Sequence, residues 1–391
     1  MSASGGQGRS SEPARTEGTV LVVGTGLLGA SAGLALRACG VDVALDDPSP
    51  TARALARDVG AGRLAGPDEE PSLVLVAAPP DVTAQVVADR LRAHPGAVVT
   101  DVASVKGAVL EDVAAALSRE GAEAAAARYV GGHPMAGRER SGATSARADL
   151  FTDRPWVLVP PPVVGERVPG ERTRGEESLQ RVLGLVADCR GVPVLMGAAE
   201  HDEAVALVSH VPQVAASLVA ARLLDAREEA VALAGQGLRD VTRIAASDPG
   251  LWVQILGANA APVARALHAL RTDLDGVLAA LDALATDGAA VGARARVARA
   301  IDEGGAGVAR VPGKHGTAPV PFEVVSVLVP DEPGSLAHLF ADVGDIGVNV
   351  EDFLLEHAPG RLVGLAELSV LPAGRPRLEA ELPRRGWRVA G

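Results

Sequence analysis

Lysine and aromatic residues are scarce in this chain of 391 residues. Lys106 and Lys314 are the only lysines, and aromatic residues make up 2% of the sequence. Arginine supplies the other basic side chains, but acidic residues outnumber them and the formal net charge is -12. Because of this excess of negative charge, we expect neither a nucleic acid nor an anionic membrane surface as a partner.

Cysteines and long apolar runs are also lacking. Cys39 and Cys189 are the only cysteines, too few for a disulfide framework, which indicates a reducing cytosol. No apolar run reaches membrane-spanning length, and the polar residues 1–17 lack the apolar stretch of a signal peptide. We therefore predict a cytoplasmic protein whose residues 1–17 form a disordered tail.

A glycine-rich turn lies between two short apolar runs near the start of the chain. Residues 19–23 predict a strand, the sequence Gly-Thr-Gly-Leu-Leu-Gly follows at residues 24–29, and residues 30–39 predict a helix. Residues 41–45 predict a second strand, which ends at Asp46. Strand, glycine turn, helix, strand and acid in this order are typical of a dinucleotide-binding unit.

Each glycine of this turn has its own expected task. Gly24 allows the tight turn, Gly26 lets the backbone approach a pyrophosphate, and Gly29 lets the helix pack closely on the strand. Asp46 can accept a hydrogen bond from a ribose 2′-hydroxyl and would repel a 2′-phosphate, so NAD is favoured over NADP. The predicted cofactor contacts are Gly24, Thr25, Gly26, Leu27, Leu28, Gly29, Asp46, Ala78, Pro79 and Ser104.

Continuous apolar strands alternate with helical segments through the first half of the chain. Residues 73–77 are followed by Ala78-Pro79-Pro80, and residues 97–100 by a segment that contains Ser104. Such strands predict a parallel sheet covered on both faces, and ligands bind beyond the carboxyl ends of its strands. We therefore predict an α/β Rossmann domain over residues 18–198, with its ligands along that rim.

A histidine lies in a segment rich in glycine and proline at residues 131–137. The sequence Gly-Gly-His-Pro-Met-Ala-Gly is too punctuated for a helix or a regular strand, and it predicts a loop that exposes His133. Imidazole titrates near neutral pH, so an exposed and positioned His133 is a candidate proton acceptor. The alternative is a turn in which this histidine only caps a backbone group.

The composition changes in the second half of the chain. Residues 199–300 are rich in alanine, leucine and arginine and have helical periodicity, which predicts an all-helical domain. One small domain cannot cover such long apolar helices, which indicates burial against a second subunit in a homodimer. Residues 301–320 predict a linker. Residues 321–391 have the order βαββαβ of a ferredoxin-like unit, with a degenerate second helix.

Several motifs together resemble the prephenate dehydrogenase family over residues 19–300. They are residues 131–137, His201-Asp202, Ser209-His210-Val211-Pro212-Gln213, Arg239-Asp240-Val241-Thr242-Arg243-Ile244-Ala245 and Ser247-Asp248-Pro249. The tail resembles an ACT domain over a shorter match. Its motifs are Asp331-Glu332-Pro333-Gly334-Ser335-Leu336 and Ile346-Gly347-Val348-Asn349-Val350.

The resemblance implies an enzyme that oxidises the ring alcohol of prephenate with NAD and releases the ring carboxylate. The product would be 4-hydroxyphenylpyruvate, a precursor of tyrosine. In the family the histidine that matches His133 is the base, and Ser104 would orient its imidazole. Guanidinium groups bind carboxylates in a two-pronged fork, so Arg243, with Arg239 as the second candidate, would hold the substrate carboxylates. No metal is expected.

Other residues take their roles from the same resemblance. His210 would hold the substrate, and Trp252 would help to wall the site. Glu139 and Asp240 would form an ionic network around Arg243, with Asp240 contributed by the second subunit. The remaining predicted substrate contacts are Gln213 and His201.

An ACT-like tail implies tyrosine as an effector bound near the turn before the first helix of the tail. The predicted ligand contacts there are Asp331, Pro333, Gly334, Ser335, Leu336, Asn349 and Val350. Arogenate dehydrogenase, which acts on the amino analogue of prephenate, stays open as an alternative. So does a non-catalytic amino-acid sensor. A β-hydroxyacid dehydrogenase would need a catalytic lysine in the helical domain, and none lies between Lys106 and Lys314.

Overall fold

The chain forms two compact units, residues 1–270 and residues 271–391, as seen in a computed structural model. The structure describes residues 13–137, 142–161, 172–311, 322–357 and 363–390. The boundary between the units falls inside the predicted helical domain. The predicted domain limits at residues 198, 300 and 320 therefore stay predictions.

An eight-stranded sheet forms the centre of the first unit. Its strands are β1 Val20–Val23, β2 Val43–Asp46, β3 Arg63–Leu64, β4 Leu73–Val76, β5 Val98–Asp101, β6 Tyr129–Pro134, β7 Pro155–Val159 and β8 Val192–Leu195. Their order across the sheet is β3-β2-β1-β4-β5-β6-β7-β8. β1 is buried along its whole length, with Val20 and Val22 in one apolar cluster and Leu21 and Val23 in another. The sheet is therefore covered on both faces here, as the continuous apolar strands predict.

The prediction of an all-parallel sheet is wrong at one side. The first six strands in the sheet order, β3-β2-β1-β4-β5-β6, are parallel to one another. Strand β7 pairs antiparallel with β6, and β8 runs parallel to β7. Apolar composition shows that a strand is buried, but it carries no information on direction. Mixed sheets with antiparallel strands at one side are common among α/β folds.

Helices cover the sheet and form the second half of the first unit. They are α1 Leu27–Ala38, α2 Pro50–Asp58, α3 Pro80–Ala93, α4 Gly107–Ser118, α5 Arg174–Asp188, α6 Ala198–Val205, α7 Val211–Ala221, α8 Glu228–Val231, α9 Gln236–Thr242 and α10 Pro249–Ala258. Helix α11, Ala260–Thr286, contains the boundary between the units. A π-helical turn, Ala206–His210, joins α6 to α7.

The glycine turn has the close packing that its sequence predicts. Gly24 has φ +95°, and its amide donates to the carbonyl of Asp46 at 2.8 Å, which ties β1 to the end of β2. A Cβ atom at Gly29 would lie 1.9 Å from the Gly24 carbonyl oxygen, so only glycine fits there. A Cβ atom at Gly26 would meet no atom within 4 Å. The turn is therefore tightly packed against protein atoms at Gly24 and Gly29, and it leaves space for a ligand at Gly26.

One continuous helical segment corrects the expectation about membrane-spanning length. Ala198–Asp225 is long and apolar enough to cross a membrane by length and composition alone. In the sequence, the apolar run of this segment is interrupted by His201, Asp202 and His210. All three polar side chains are buried in the first unit. Their burial fits a helix of a folded domain.

The second unit contains helix α12 and the four-stranded sheet predicted for the tail. Its elements are α12 Ala293–Val308, β9 Glu323–Pro330, α13 Ser335–Ile346, β10 Val350–His357, β11 Val363–Val370, α14 Arg375–Glu381 and β12 Arg388–Ala390. The sheet order β10-β11-β9-β12 is that of a ferredoxin-like unit. The segment predicted to be degenerate is the regular but short helix α14, whose Leu378 lies in the core.

Two predictions about irregular segments need correction. Residues 301–308 of the predicted linker continue α12, which begins in the alanine- and arginine-rich residues 293–300 and extends through three glycines. At the end of the predicted disordered tail, the amides of Arg15 and Thr16 donate to the carboxylate of Asp188, at distances of 2.8 to 3.1 Å. Residues 1–12 and 312–320 lie outside the described residues.

Candidate active site

His133 lies on a strand and is half-buried, which corrects the prediction of an exposed loop. It is part of β6 and pairs with Val157 of β7. The glycine before it is required by the sheet, because a Cβ atom at Gly132 would lie 2.3 Å from the carbonyl oxygen of Asp101. Glycine in this segment therefore serves close packing between strands, where the sequence indicated a turn.

A chain of hydrogen bonds runs inward from His133. Its Nδ1 lies 2.8 Å from Nε2 of His201, and Nδ1 of His201 lies 2.8 Å from Oδ1 of Asp202. The Asp202 carboxylate also accepts from the backbone amides of Lys106 and Gly107, each at 2.8 Å, at the start of α4. Two imidazoles and a carboxylate thus link β6 to the first turn of a helix.

The directions of these hydrogen bonds fix which ring nitrogen carries the proton in His201 and in His133. An ionised Asp202 can only accept, so Nδ1 of His201 carries the proton and its Nε2 is an acceptor. His133 must then donate from Nδ1, which leaves the lone pair on its Nε2 without a partner among the described residues. That lone pair is positioned to accept a proton from a substrate.

The electrostatic surroundings keep His133 neutral. Burial lowers its pKa well below the ordinary value, and the neighbouring His201, Lys106 and His210 lower it further. Burial opposes the ionisation of Asp202, but hydrogen bonds from His201 and from the amides of Lys106 and Gly107 hold its pKa below the ordinary value. A neutral base and an ionised carboxylate at the far end are the states that the hydrogen bonds require.

A buried ion pair between Lys106 and Asp101 holds β6 at Gly132. Lys106 is completely buried, its ammonium contacts Oδ1 of Asp101, and it donates to the carbonyl of Gly132 at 2.6 Å. Asp101 also accepts from the hydroxyl of Tyr129 at 2.7 Å and from the amide of Ala103 at 2.7 Å. Burial lowers the pKa of Lys106, while Asp101 opposes that shift. The peptide next to His133 is therefore held by a charged network.

His210, in the π-helical turn, has a second fixed imidazole. The side-chain amide of Asn259 donates to Nδ1 of His210 at 3.1 Å and to the carbonyl of Asp202 at 2.8 Å. Nδ1 of His210 is then an acceptor, so the proton lies on Nε2 and is available for a ligand. The Trp252 ring stands edge-on to His210 with centroids 6.0 Å apart. Gln213 is buried nearby in α7, with Oε1 at 3.5 Å from the Ser247 hydroxyl.

The predicted arginine cluster lies at the surface of the single chain. Arg239 is exposed in α9, whereas Arg243 is exposed in the short 3₁₀ turn that follows, so the two are not on one regular helix. Asp240 accepts from Gln236 of its own helix at 2.7 Å. Glu139 lies outside the described residues. The predicted ionic network stays a prediction.

The glycine turn has the features that a dinucleotide requires. Helix α1 begins directly after Gly26, no side chain caps its first amides, and no acidic residue lies in its first turn. Free amides at a helix start bind phosphate, and the open space beside Gly26 would admit it. Ala78 and Pro79 follow β4, and Ser104 follows β5, at the same rim. Ser104 makes no described hydrogen bond to His133, so its orienting role stays a prediction.

The two adjacent acids at the end of β2 have different partners. Asp46 Oδ2 lies 2.5 Å from Nη2 of Arg90, and its Oδ1 lies 3.8 Å from Nη1 of Arg53. Asp47 instead accepts from the amide of Thr25 at 2.7 Å and from its hydroxyl at 2.9 Å. Asp47 therefore supports the glycine turn, and Asp46 is the acid that a ribose could reach.

The second unit contains a cavity of about 830 Å³. It is lined by apolar side chains that include Leu328, Leu365 and Trp387, and by the charged Glu356 and Arg388. Among the predicted regulatory residues, Ser335 lines it. Of the other six, Asp331, Pro333 and Gly334 lie in the turn before α13, and Leu336 lies in the first turn of that helix. Asn349 directly precedes Val350, the first residue of β10.

Sequence reasoning missed most of the supporting residues. The sequence assigns no role to Asp101, Tyr129 or Asn259, and it distinguishes Lys106 only as one of two lysines. A signal was present for Lys106, because it is one of two lysines in the chain and follows a strand that ends in an acid. No local pattern marks Asn259, which becomes informative only when α10 brings it beside His210.

A doubly covered Rossmann sheet with a positioned histidine at its rim defines a dinucleotide-dependent oxidoreductase. The family described as prephenate dehydrogenase, nucleotide-binding domain matches residues 32–189, and prephenate dehydrogenase, dimerization domain matches residues 197–289. A probable prephenate dehydrogenase, NovF of Streptomyces niveus, is 39% identical over 375 residues, covering 94% of this chain and 98% of that protein. This chain belongs to the prephenate dehydrogenase family.

A further relative and two solved structures are also similar to this chain. Prephenate dehydrogenase of Bacillus subtilis is 29% identical over 256 residues, covering 61% of this chain and 63% of that protein. The crystal structure of prephenate dehydrogenase from A. aeolicus with hydroxyphenyl propionate and NAD+ has a TM-score of 0.61 at 24% identity, covering 75% and 99% of the chains. Synechocystis arogenate dehydrogenase has a TM-score of 0.57 at 24% identity, covering 74% and 99%. The two structures share the fold of this chain.

The buried ion pair makes a prediction about stability. Lys106→Met leaves Asp101 buried without its cation and should lower the free energy of unfolding by about 3–5 kcal/mol. Adding Asp101→Asn should recover part of that loss, because the two residues interact directly. Urea denaturation measures both effects. The control is Arg57→Met at the exposed pair with Asp58, expected to cost about 0–1 kcal/mol. Equal costs for Lys106→Met and Arg57→Met would show that the buried pair does not hold β6.

Proposed function

We propose that this protein catalyses the NAD-dependent oxidative decarboxylation of prephenate to 4-hydroxyphenylpyruvate. The observation that carries the proposal is the free Nε2 lone pair of His133, held by His201 and Asp202 at the rim of the dinucleotide-binding sheet. Membership in the prephenate dehydrogenase family supports the choice of substrate. The glycine turn, the open space at Gly26 and Asp46 support the choice of cofactor.

The reaction requires one base, and the chain provides it. Nε2 of His133 takes the proton of the substrate hydroxyl while the carbinol C–H bond breaks. When bound, the nicotinamide supplies the hydride acceptor. The bond to the ring carboxylate then breaks, its electron pair completes the aromatic ring, and carbon dioxide leaves. The proton on His133 returns to the phenolate oxygen, so protons and electrons balance without a second base.

His201 has a different role from the substrate contact that the sequence predicted. Its side chain is completely buried behind His133, so we assign it as a positioning residue. His201 fixes the tautomer of His133, and Asp202 fixes the tautomer of His201. His210 presents an Nε2 proton to the substrate beside Trp252, and Arg243 is the proposed anchor for a carboxylate.

Arogenate is the second candidate substrate. It differs from prephenate by an amino group in the side chain, and Gln213, buried in α7 next to the π-helical turn, offers an amide that suits either group. The neutral His210 Nε2–H suits a keto oxygen better than an ammonium, which favours prephenate. Steady-state kinetics with both substrates and NAD decides between them.

His133 and His201 make separable predictions for this reaction. His133→Asn should lower kcat by about two to four orders of magnitude, the usual scale for a general base. His201→Leu should lower kcat by about tenfold to a hundredfold, because His133 loses the acceptor that fixes its tautomer. KM for prephenate should change little in His201→Leu, since His201 does not reach the substrate.

His201→Gln is the matched control. The glutamine side-chain oxygen can stand near the place of Nε2 and accept from His133, so this variant should recover most of the lost kcat. In wild type, the acid limb of kcat/KM should lie below the ordinary histidine pKa of about 6.5, because burial lowers the pKa of His133. A His133→Asn enzyme within tenfold of wild type would remove His133 from the role of base.

We also propose that the protein is a homodimer. Several large apolar side chains of the helical segments are exposed in the single chain, such as Leu207, Leu218 and Leu224, the last at 86%. Exposed apolar area on this scale is typical of subunit interfaces, and the matching family region is described as a dimerization domain. Residues of the second subunit would then complete the substrate-binding site at the exposed Arg243.

Sedimentation velocity tests the dimer. Wild type should sediment as a dimer at micromolar concentration, and Leu218→Glu should shift it toward monomer, because a buried carboxylate without a partner is unfavourable. Thr51→Glu, at an exposed position of α2, is the control with the same added charge. A monomeric wild type, or equal dissociation in both variants, would contradict the proposal.

We propose that the βαββαβ unit acts as an ACT-like regulatory domain that binds tyrosine. Its ferredoxin-like strand order and the left-handed Gly334 before α13, with φ +94°, support this assignment. The adjacent cavity has room for an amino acid and contains Ser335 in its wall. The amide end of α13 and the side chain of Glu356 would complement a carboxylate and an ammonium.

Tyrosine should therefore inhibit the enzyme through the tail. Ser335→Phe, which fills the cavity wall, should raise the tyrosine concentration for half-inhibition at least about tenfold and leave kcat unchanged. Ser369→Phe, on a part of β11 away from the cavity, is the matched control. Inhibition that stays competitive with prephenate in Ser335→Phe would place tyrosine in the active site and contradict the regulatory assignment.

A further inference from the structure

The acid that should select the cofactor is held between two arginines. Asp46 ends β2, and Arg90 of α3 reaches its Oδ2 at 2.5 Å. Arg53 of α2 approaches its Oδ1 at 3.8 Å. The side chains of Asp46, Arg90 and Arg53 are 28%, 28% and 35% exposed, so a ligand can reach all three. A simple ribose-binding acid needs neither arginine.

The position of this cluster relates it to the adenosine end of a dinucleotide. The carbonyl of Asp46 accepts from the amide of Gly24, so its side chain emerges beside the glycine turn. In Rossmann folds the acid at this place contacts the ribose 2′-hydroxyl, and an arginine nearby accommodates a 2′-phosphate. The other local acid, Asp47, is occupied by Thr25 and by the amide of Ser49 at 2.8 Å.

Asp46 is the carboxylate that both arginines share. It pairs with Arg90 through Oδ2 and with Arg53 through Oδ1. Without the charge of Asp46, both guanidinium groups lose this partner. Guanidinium groups bind phosphate oxygens in a two-pronged fork, and two of them suit a phosphate monoester.

We propose that Arg90 and Arg53 form a latent 2′-phosphate site that Asp46 masks. In wild type, Asp46 pairs with both arginines, and its Oδ1, which lies 3.8 Å from Arg53, can still accept from a ribose hydroxyl, so NAD binds and NADP is excluded. Asp46 is therefore the single residue that sets dinucleotide choice, and a neutral side chain there converts the site to NADP. The inference rests on the proposed function only in placing a dinucleotide at the glycine turn.

Calorimetric titration with two adenosine nucleotides tests the masked site without substrate or nicotinamide. The probes are 5′-AMP, which has a free 2′-hydroxyl, and 2′,5′-ADP, which has a 2′-phosphate. Asp46→Asn should bind 2′,5′-ADP about tenfold to a hundredfold more tightly than wild type and 5′-AMP more weakly. The ratio of kcat/KM for NADP over NAD should rise in parallel. Asp46→Ser serves if Asp46→Asn is poorly folded, as judged by thermal unfolding.

Two variants identify the cause of such a change. Adding Arg90→Ala to Asp46→Asn should remove most of the gained affinity for 2′,5′-ADP. Asp42→Asn removes the same charge before β2, where Asp42 pairs with Arg63 away from the turn, and should leave both probes unchanged. The inference is overturned by an Asp46→Asn protein without tighter binding of 2′,5′-ADP, by a gain that survives Arg90→Ala, or by an equal gain in Asp42→Asn.

The test separates this inference from the proposed function. A protein that fails to oxidise prephenate but shows the shift in nucleotide binding keeps the latent site and loses the proposed reaction. A protein that oxidises prephenate with NAD but shows no shift keeps the reaction and loses the latent site.

Discussion

The Asp202 carboxylate is the contact on which the arrangement of this site depends. It accepts from the first amides at the start of α4 and from the imidazole of His201. The two oxygens of this carboxylate therefore join α4, a helix that covers the Rossmann sheet, to α6, which contains Asp202 and His201. This connection aligns His201 behind His133. Hydrogen bonds to a charged group contribute about 1.5–3 kcal/mol each, and a helix start favours a negative charge. Without Asp202, this connection would not fix the position of His201 on α6 relative to His133 on β6.

The base is rigid because it is fixed from two directions. His201 holds the ring of His133 from behind, and the buried Lys106 and Asp101 hold the peptide of Gly132 next to it. Buried charges are costly unless they are paired and hydrogen-bonded, and here every partner belongs to β5, β6 or the segment between β5 and α4. Burial is the main reason that the pKa of His133 is low, and Lys106 lowers it further, so the base stays neutral. Position and protonation of His133 are therefore set by one network.

The sequence predicted what local patterns encode. The glycine turn, the position of Asp46 at the end of β2, the alternation of strands and helices and the βαββαβ order of the tail follow from periodicity and from glycine spacing, and the structure confirms them. The loop assigned to His133 was wrong because Gly132 is needed for strand packing against Asp101 of the neighbouring strand β5. The direction of β7, the partner of His201 and the place of Asn259 depend on tertiary contacts. No local pattern carries that information.

The central claim is that Asp202 sets the tautomers of His201 and His133, leaving Nε2 of His133 as the free base. Nitrogen-15 NMR of the protein with ring-labelled histidine, at neutral pH, measures this most directly, because protonated and unprotonated ring nitrogens resonate far apart. The account predicts a protonated Nδ1 and an unprotonated Nε2 on His133, and the same pattern on His201. A His133 ring protonated on Nε2, or on both nitrogens, would contradict it.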